Sequence, residues 1–445
     1  MAVEWRGSLW WVAGKLPVDG RKVLLFCLWP IGSCLVLVGN GIGIPVVEME
    51  MSLDLNTVDA VCDGVDRDRL LRTAVELVDI PSPTRSAAQV ADHLANLLTD
   101  AGFEVSREAA GWPESPAVIA RMSTGRPGRT LQFNGHLDTV HLPFVPARVA
   151  EGKLHGSGAS DMKGGLAAAV EAMCVLRDLD VLPGGGVLLT AHDLHEAPWG
   201  DGSQVEGLID EGFIGDGVLL PEYLCDRLPV VGRGLALFET SVKRDGQPVH
   251  EVLGGSDQPS VIHAGAELLR QLRQLDQQLA EKTHPLAGRE SLFVGQVHSG
   301  EIFNQAPVEL ALEGTRRWLP GTSFGEAETQ FNEILQQVSD AENVQVEGGL
   351  QLTRDAFEIA REDPLVTSFQ AAHGQVTNKV LPLGAKPFVD DGNCFVQRGG
   401  IPAITHGPNA VGAHTVDEVV PVDELVRVAR VYALTALAFC GVEQT

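Results

Sequence analysis

At 445 residues the chain is too long for one ordinary hydrophobic core, so two or three domains are expected. Its 33 basic and 59 acidic residues give a formal charge of −26. That charge excludes nucleic acid as a partner, because such binding needs clustered lysine and arginine and no basic run occurs. The seven cysteines, at positions 27, 34, 62, 174, 225, 394 and 440, are scattered without a Cys-x-x-Cys. They form neither a disulfide framework nor a thiolate metal knot, and they point to a reducing cytoplasm.

Residues 1–50 differ from the rest. After Arg21-Lys22, the segment Val23–Val47 carries no charge and is long enough to cross a bilayer. Pro30, Asn40, Pro45 and the glycines at 32, 39, 41 and 43 weaken a spanning helix, and no small-residue cleavage site follows. Three readings stay open: an extension upstream of a true start at Met51, a membrane anchor or signal, or a folded element.

From Asp66, a helix N-cap, the apolar residues Leu70, Leu71, Ala74, Leu77 and Val78 recur at helical spacing until Ile80-Pro-Ser-Pro-Thr84 stops them. A second helix, Ala87–Ala101, closes at Gly102, and a strand begins at Phe103. Ala117–Ala120 and Thr130–Asn134 read as buried strands, with His136 just past the second. Asp161 precedes a helix over Gly164–Leu179, and the strand Val187–Ala191 leads to Glu196 at the same edge. Strands alternating with helices predict an α/β sheet whose ligands gather beyond the strand C-terminal ends.

Between Gly232 and Gly349 the pattern changes. The strand Leu235–Val242, a helix over Ser260–Glu281, the strands Ser291–Val294 and Val308–Leu312, and a helix near Phe324–Ser339 describe a small α+β module. The larger domain resumes near Arg354, takes in Phe388–Asp391 and Pro402–Thr405, and ends in a helix from Val422. The expected organisation is therefore a catalytic domain over 51–231 and 350–445, with an inserted module over 232–349.

The candidate chemistry is spread over this frame. His136 and Asp138 lie in Asn134-Gly-His-Leu-Asp-Thr139, Asp161 in Ser160-Asp-Met-Lys-Gly-Gly165, and Glu196 in His195-Glu-Ala-Pro198. Glu222 follows Pro221, and His414 lies in Gly412-Ala-His-Thr415. Imidazole nitrogen and carboxylate oxygen are ligands for ions such as zinc. Two such ions about 3.5–4 Å apart need about five groups, one carboxylate being shared.

In this order, and with Asp417-Glu418 closing the last motif, the residues resemble the M20 metallopeptidase family, which includes aminoacylases, acetylornithine deacetylases, succinyl-diaminopimelate desuccinylases and glutamate carboxypeptidases. The resemblance runs from about Leu70 to the C-terminus. It implies that His136 and Glu222 bind one divalent ion, that Glu196 and His414 bind the other, and that Asp161 bridges them. The expected metal is zinc, with cobalt or manganese as alternatives. Asp138 is expected to accept the second ring N–H of His136.

The resemblance also implies that the inserted module is a lid, which in that family often dimerises. Its His250, in Gly246-Gln-Pro-Val-His250, would polarise the scissile carbonyl, and Asn304 and Arg317 would meet a substrate carboxylate. For His250 a plain surface histidine, and for Arg317 a surface salt bridge, are the other readings. The implied substrate is a small molecule, an N-acyl amino acid or short peptide with a free carboxylate, cleaved at its amide bond.

Two departures stand out. The family's usual Glu-Pro-Thr is here Glu222-Tyr-Leu224, which leaves an exposed loop acid as the other reading of Glu222. The family's two adjacent glutamates, general base and ligand, are here His195 and Glu196. His195 then takes the general-base position, with His192 and Asp193 as fallbacks. A third nitrogen ligand, or an inactive relative that serves as a small-molecule binding module, are the alternatives.

Overall fold

The computed structural model describes residues 55–441, and of the separate unit Met1–Asp54 only strand backbone. In that unit Ala2–Arg6, Leu9–Val18, Arg21–Trp29 and Cys34–Val38 pair consecutively as antiparallel strands. The uncharged segment 23–47 is therefore strand backbone at 23–29 and 34–38. The remainder of it, with Met51, lies outside the described residues. No helix among the described residues is long and apolar enough to cross a membrane.

Helices α1 (Leu55–Gly64), α2 (Arg67–Val78) and α3 (Ala88–Asp100) come first. The Asp66 carboxylate accepts the backbone N–H groups of Asp68 and Arg69, both at 2.9 Å, and so caps donors that the first turn of α2 leaves unpaired. Strands β1 (Glu104–Glu108), β2 (Ala117–Ser123), β3 (Thr130–His136), β4 (Gly186–His192), β5 (Gly217–Leu220) and β10 (Ala403–Thr405) form the main sheet, in the order β10-β5-β3-β4-β2-β1. The first four in that order are mutually parallel, and β2 and β1 add antiparallel at one edge.

Helices cover both faces of this sheet, which is why β4 is buried at every position. On β5 the alternation is explicit. A Cβ at Gly217 would lie 2.8 Å from Phe439 of α10 (Val422–Cys440) and 3.3 Å from Leu365 of α8 (Pro364–Thr377). Val218 and Leu220 point the other way and cluster with Val205 and Ile209 of α5 (Ser203–Asp210) and Phe395 of α9 (Gly392–Gln397). The long helix α4 (Lys163–Leu179) packs against α10 and β3.

Between β5 and α8 the chain builds a second sheet, β7-β8-β6-β9, from β6 (Gly234–Lys243), β7 (Ser291–Ser299), β8 (Glu309–Trp318) and β9 (Gln345–Arg354). All three pairings are antiparallel. Its helices are α6 (Val261–Leu279), capped by Ser260, and α7 (Phe324–Glu342), opened by a Ser323/Glu326 capping box. Ala236, Phe238 and Val242 of β6 face Leu268, Leu272, Phe331 and Leu335 of these helices, while Leu237 between them is exposed.

The expected helices and strands recur with small shifts, and β7 and β8 run further than their apolar starts suggested. Phe388–Asp391 is a loop leading into α9. α8 was not anticipated, although Asp363 as N-cap before Pro364 is a start signal that the sequence carries.

Candidate metal centre

Three neighbouring strands end at one edge of the main sheet. His136 is the last residue of β3, not a residue beyond it, and lies in register with His192 of β4; β5 on the other side of β3 leads to Pro221 and Glu222. His136 is fully buried. Its Nδ1 lies 2.9 Å from the main-chain oxygen of Asp138. A carbonyl only accepts, so Nδ1 carries the proton and Nε2 is free as a ligand. Nε2 faces Asp161 Oδ1 at 3.1 Å and Glu222 Oε1 at 3.7 Å.

The expectation for Asp138 is corrected here. Its carboxylate does not accept the ring N–H; it accepts the backbone N–H groups of Glu196 at 3.0 Å and His195 at 3.2 Å. Asp138 thus ties the turn after β4 to the end of β3.

Asp161 sits in the loop before α4. The Glu418 carboxylate accepts the backbone N–H groups of Gly158, Ser160 and Asp161 and the Ser160 hydroxyl, at 2.9–3.2 Å. So held, Asp161 presents one oxygen to each histidine: Oδ1 to His136, and Oδ2 to His414 Nε2 at 3.3 Å. His414 Nε2 also lies 3.1 Å from Glu196 Oε2. The His414 side chain is 55 % exposed against 6 % for Asp161 and 5 % for Glu196, so this is the side open to solvent. Glu222 is buried rather than an exposed loop acid. Gly407 explains part of that, since a Cβ there would lie 2.0 Å from the Glu222 carbonyl oxygen.

His195 follows Leu194, whose φ of +66° turns the chain after β4. Its ring lies flat on that of His136, with centroids 4.1 Å apart and 2° between the planes. Nδ1 is 2.8 Å from Asp391 Oδ2, and Nε2 is 4.0 Å from Glu222 Oε1. The two fallback residues serve the scaffold. The Asp193 carboxylate accepts the backbone N–H groups of Arg85, Ala87 and Leu194. His192 Nδ1 lies 2.9 Å from the Asp193 carbonyl.

Electrostatics report the same crowding. Burial opposes a charge on His136, but Asp161, Glu222 and Glu196 outweigh it and raise its pKa well above the ordinary value. Asp161 and Glu196 push His414 up to about 10. Burial and the Asp161 charge raise Glu222. Asp161 is lowered by His136 and His414 despite its burial. The acid cluster favours positive charge at its centre, which is what a bound cation would supply.

The donor chemistry fits divalent ions. His136, Asp161 and Glu196 offer ligand atoms within 4.8 Å of one another, and so do His136, His195 and Glu222.

The three candidate residues of the second sheet's module are arranged otherwise. His250 Nε2 meets the Asn304 side-chain amide at 2.8 Å, and His250 Nδ1 accepts the N–H of Val252. Arg317, half-buried on β8, has no carboxylate partner among the described residues, so it is not in a salt bridge. Burial and the neighbouring Arg233 both act against its charge. None of the three bonds to a residue of the cluster among the described residues.

Two residues were not read from the chain as part of the site: Glu418, noted only as closing the last motif, and Asp391, noted only as the end of Phe388–Asp391. Their signals, adjacent acids after His414 and before Gly392, were present without a visible partner.

Comparison with known proteins agrees with this geometry. The sequence pattern of Peptidase family M20/M25/M40 matches residues 132–438. Over 363 residues the chain is 28 % identical to the putative succinyl-diaminopimelate desuccinylase DapE of Mycobacterium tuberculosis, covering 78 % of this chain and 92 % of the relative. It is 22 % identical over 409 residues to the N-formyl-4-amino-5-aminomethyl-2-methylpyrimidine deformylase of Bacillus subtilis, covering 84 % and 94 %. Its fold matches that of Bacillus subtilis YxeP, a dinuclear metal binding peptidase from the M20 family, with a TM-score of 0.63 and 14 % identity over 83 % of this chain and 97 % of that one.

Proposed function

The chain belongs to peptidase family M20/M25/M40 and is a metal-dependent hydrolase of amide or peptide bonds; on that premise we propose that it uses two divalent ions, zinc foremost, to cleave an N-acyl amino acid or short peptide bearing a free carboxylate. One observation carries the two-ion reading: Asp161 offers a separate oxygen to His136 and to His414, the geometry of a shared carboxylate. His136 and Glu222 would hold one ion, and Glu196 and His414 the other. When bound, the ions supply positive charge that activates water and stabilises the developing oxyanion.

The chain's own residues do the rest. Asp138, through its main-chain oxygen, keeps the proton of His136 on Nδ1, and through its carboxylate it holds the turn bearing His195 and Glu196. His195 accepts a proton from the attacking water at Nε2 and delivers it to the leaving nitrogen. Burial opposes its charge and Asp391 favours it, holding its pKa at about 9, and two cations nearby would lower that toward the working range. Arg317, without an acidic partner among the described residues, supplies a planar fork for the substrate carboxylate, and His250 with Asn304 faces the scissile carbonyl. The reducing compartment belongs to the same reading, and the five described cysteines are all free. So does a dimer through the lid, where Phe293 and Val297 stand exposed on its outermost strand.

The test is a panel of N-acyl amino acids and dipeptides with the zinc-loaded chain and its His195→Ala variant. The variant is expected to keep both ions and to lose roughly 10²–10⁴-fold in turnover, the range for a positioned acid–base group. Loss of one ion would make His195 a ligand, and undiminished turnover would remove it from the chemistry. The inactive-relative alternative is not favoured, because the matched relatives are hydrolases.

A further inference from the structure

We propose that Asp391 is a positioning residue that fixes the tautomer and ring orientation of His195, with Arg354 holding Asp391 in place; this rests on the reading of His195 as the general base. An imidazole replacing a carboxylate as base raises a difficulty that a carboxylate does not have. Its two nitrogens are inequivalent, and only one faces the reaction. A proton on the wrong nitrogen turns a base into a donor.

The surroundings of His195 settle which nitrogen is which. Asp391 Oδ2 lies 2.8 Å from Nδ1, and an ionised carboxylate only accepts, so the proton belongs on Nδ1. The Arg354 guanidinium donates to its other oxygen, which leaves Asp391 the acceptor in this contact. Nε2 is thereby left with its lone pair toward the cluster, 4.0 Å from Glu222. Stacking on the His136 ring removes the remaining freedom, rotation of the ring out of the plane.

Asp391 is itself fixed from two sides. Its Oδ1 accepts from Arg354 Nη2 at 3.2 Å, and its Oδ2 also lies 3.1 Å from His192 Nε2. Arg354, the last residue of β9, is buried, and its Nη1 donates to the carbonyls of Thr353 and Asp201. It lies directly over Gly202, where φ is +74° and a Cβ would come within 2.0 Å of the guanidinium. The loop after Glu196 therefore closes over Arg354, and Arg354 over Asp391. The arrangement has the logic of the carboxylate in a serine protease triad, which orients its histidine without taking the proton.

The experiment has a spectroscopic and a kinetic arm. In the zinc-loaded chain labelled with ¹⁵N-histidine, His195 is expected to show a protonated Nδ1 and an unprotonated Nε2 at neutral pH. In Asp391→Asn the population should move toward protonated Nε2. Kinetically, Asp391→Asn should lower kcat roughly 10²–10⁴-fold with KM and metal content little changed, by analogy with the triad case. Added to His195→Ala, the same substitution should cost nothing more. An unprotonated Nδ1 in the unsubstituted chain overturns the inference, and that measurement needs no variant to fold. A kcat loss that persists undiminished in the His195→Ala background overturns it too. If His195→Ala alone leaves turnover unchanged, the base reading fails instead, and the two failures are distinguishable.

Discussion

In the candidate metal centre the cluster is largely buried, and three of its side chains are held by a further residue: His136 by the main chain of Asp138, Asp161 by Glu418, His195 by Asp391. In the inserted module, His250 and Asn304 are half-buried and bond mainly to each other, while Arg317 has no carboxylate partner among the described residues and the neighbouring Arg233 acts against its charge. Those three side chains are oriented by the protein itself, whereas the guanidinium of Arg317 has no acidic partner among the described residues. Groups that hold ions must be placed to a fraction of an ångström, which takes a supporting shell. Groups that meet a substrate must keep bonding capacity in reserve.

The largest test of this contrast is Asp161→Ala. If one carboxylate serves both ions, the variant should bind neither and turn nothing over, read by metal analysis after gel filtration. An alanine variant that still held one ion tightly would break the shared role.

Glu418→Ala leaves every ligand in place but frees the four donors that hold the loop before α4. Metal affinity should fall by about 10–100-fold, the usual cost of losing such a support, as measured by competition with a chelator. Unchanged affinity would mean that the loop is held by packing alone.

The smallest effects belong to the inserted module. His250→Ala and Arg317→Ala should leave metal content untouched and lower kcat/KM by roughly tenfold, at the low end of what a hydrogen bond to a charged group contributes. Arg317→Lys should recover little, because a point charge does not reproduce the fork. Metal loss in these variants would erase the distinction between the two regions.

The sequence alone made legible the helices, the buried strands and the α/β class they build. Those signals are local: apolar spacing, caps, and ligand types placed just beyond strand ends. What each polar group does was decided by the tertiary structure. Asp138 looks like the acceptor for the His136 ring, yet its main-chain oxygen takes that proton and its carboxylate serves a turn 57 residues away. Asp391 has no visible partner in the sequence until the fold brings it onto His195 across 196 residues, and Glu418 reaches Asp161 across 257. A carboxylate's role depends on which N–H or ring lies opposite it, and that pairing exists only once β3, β4 and β5 end side by side.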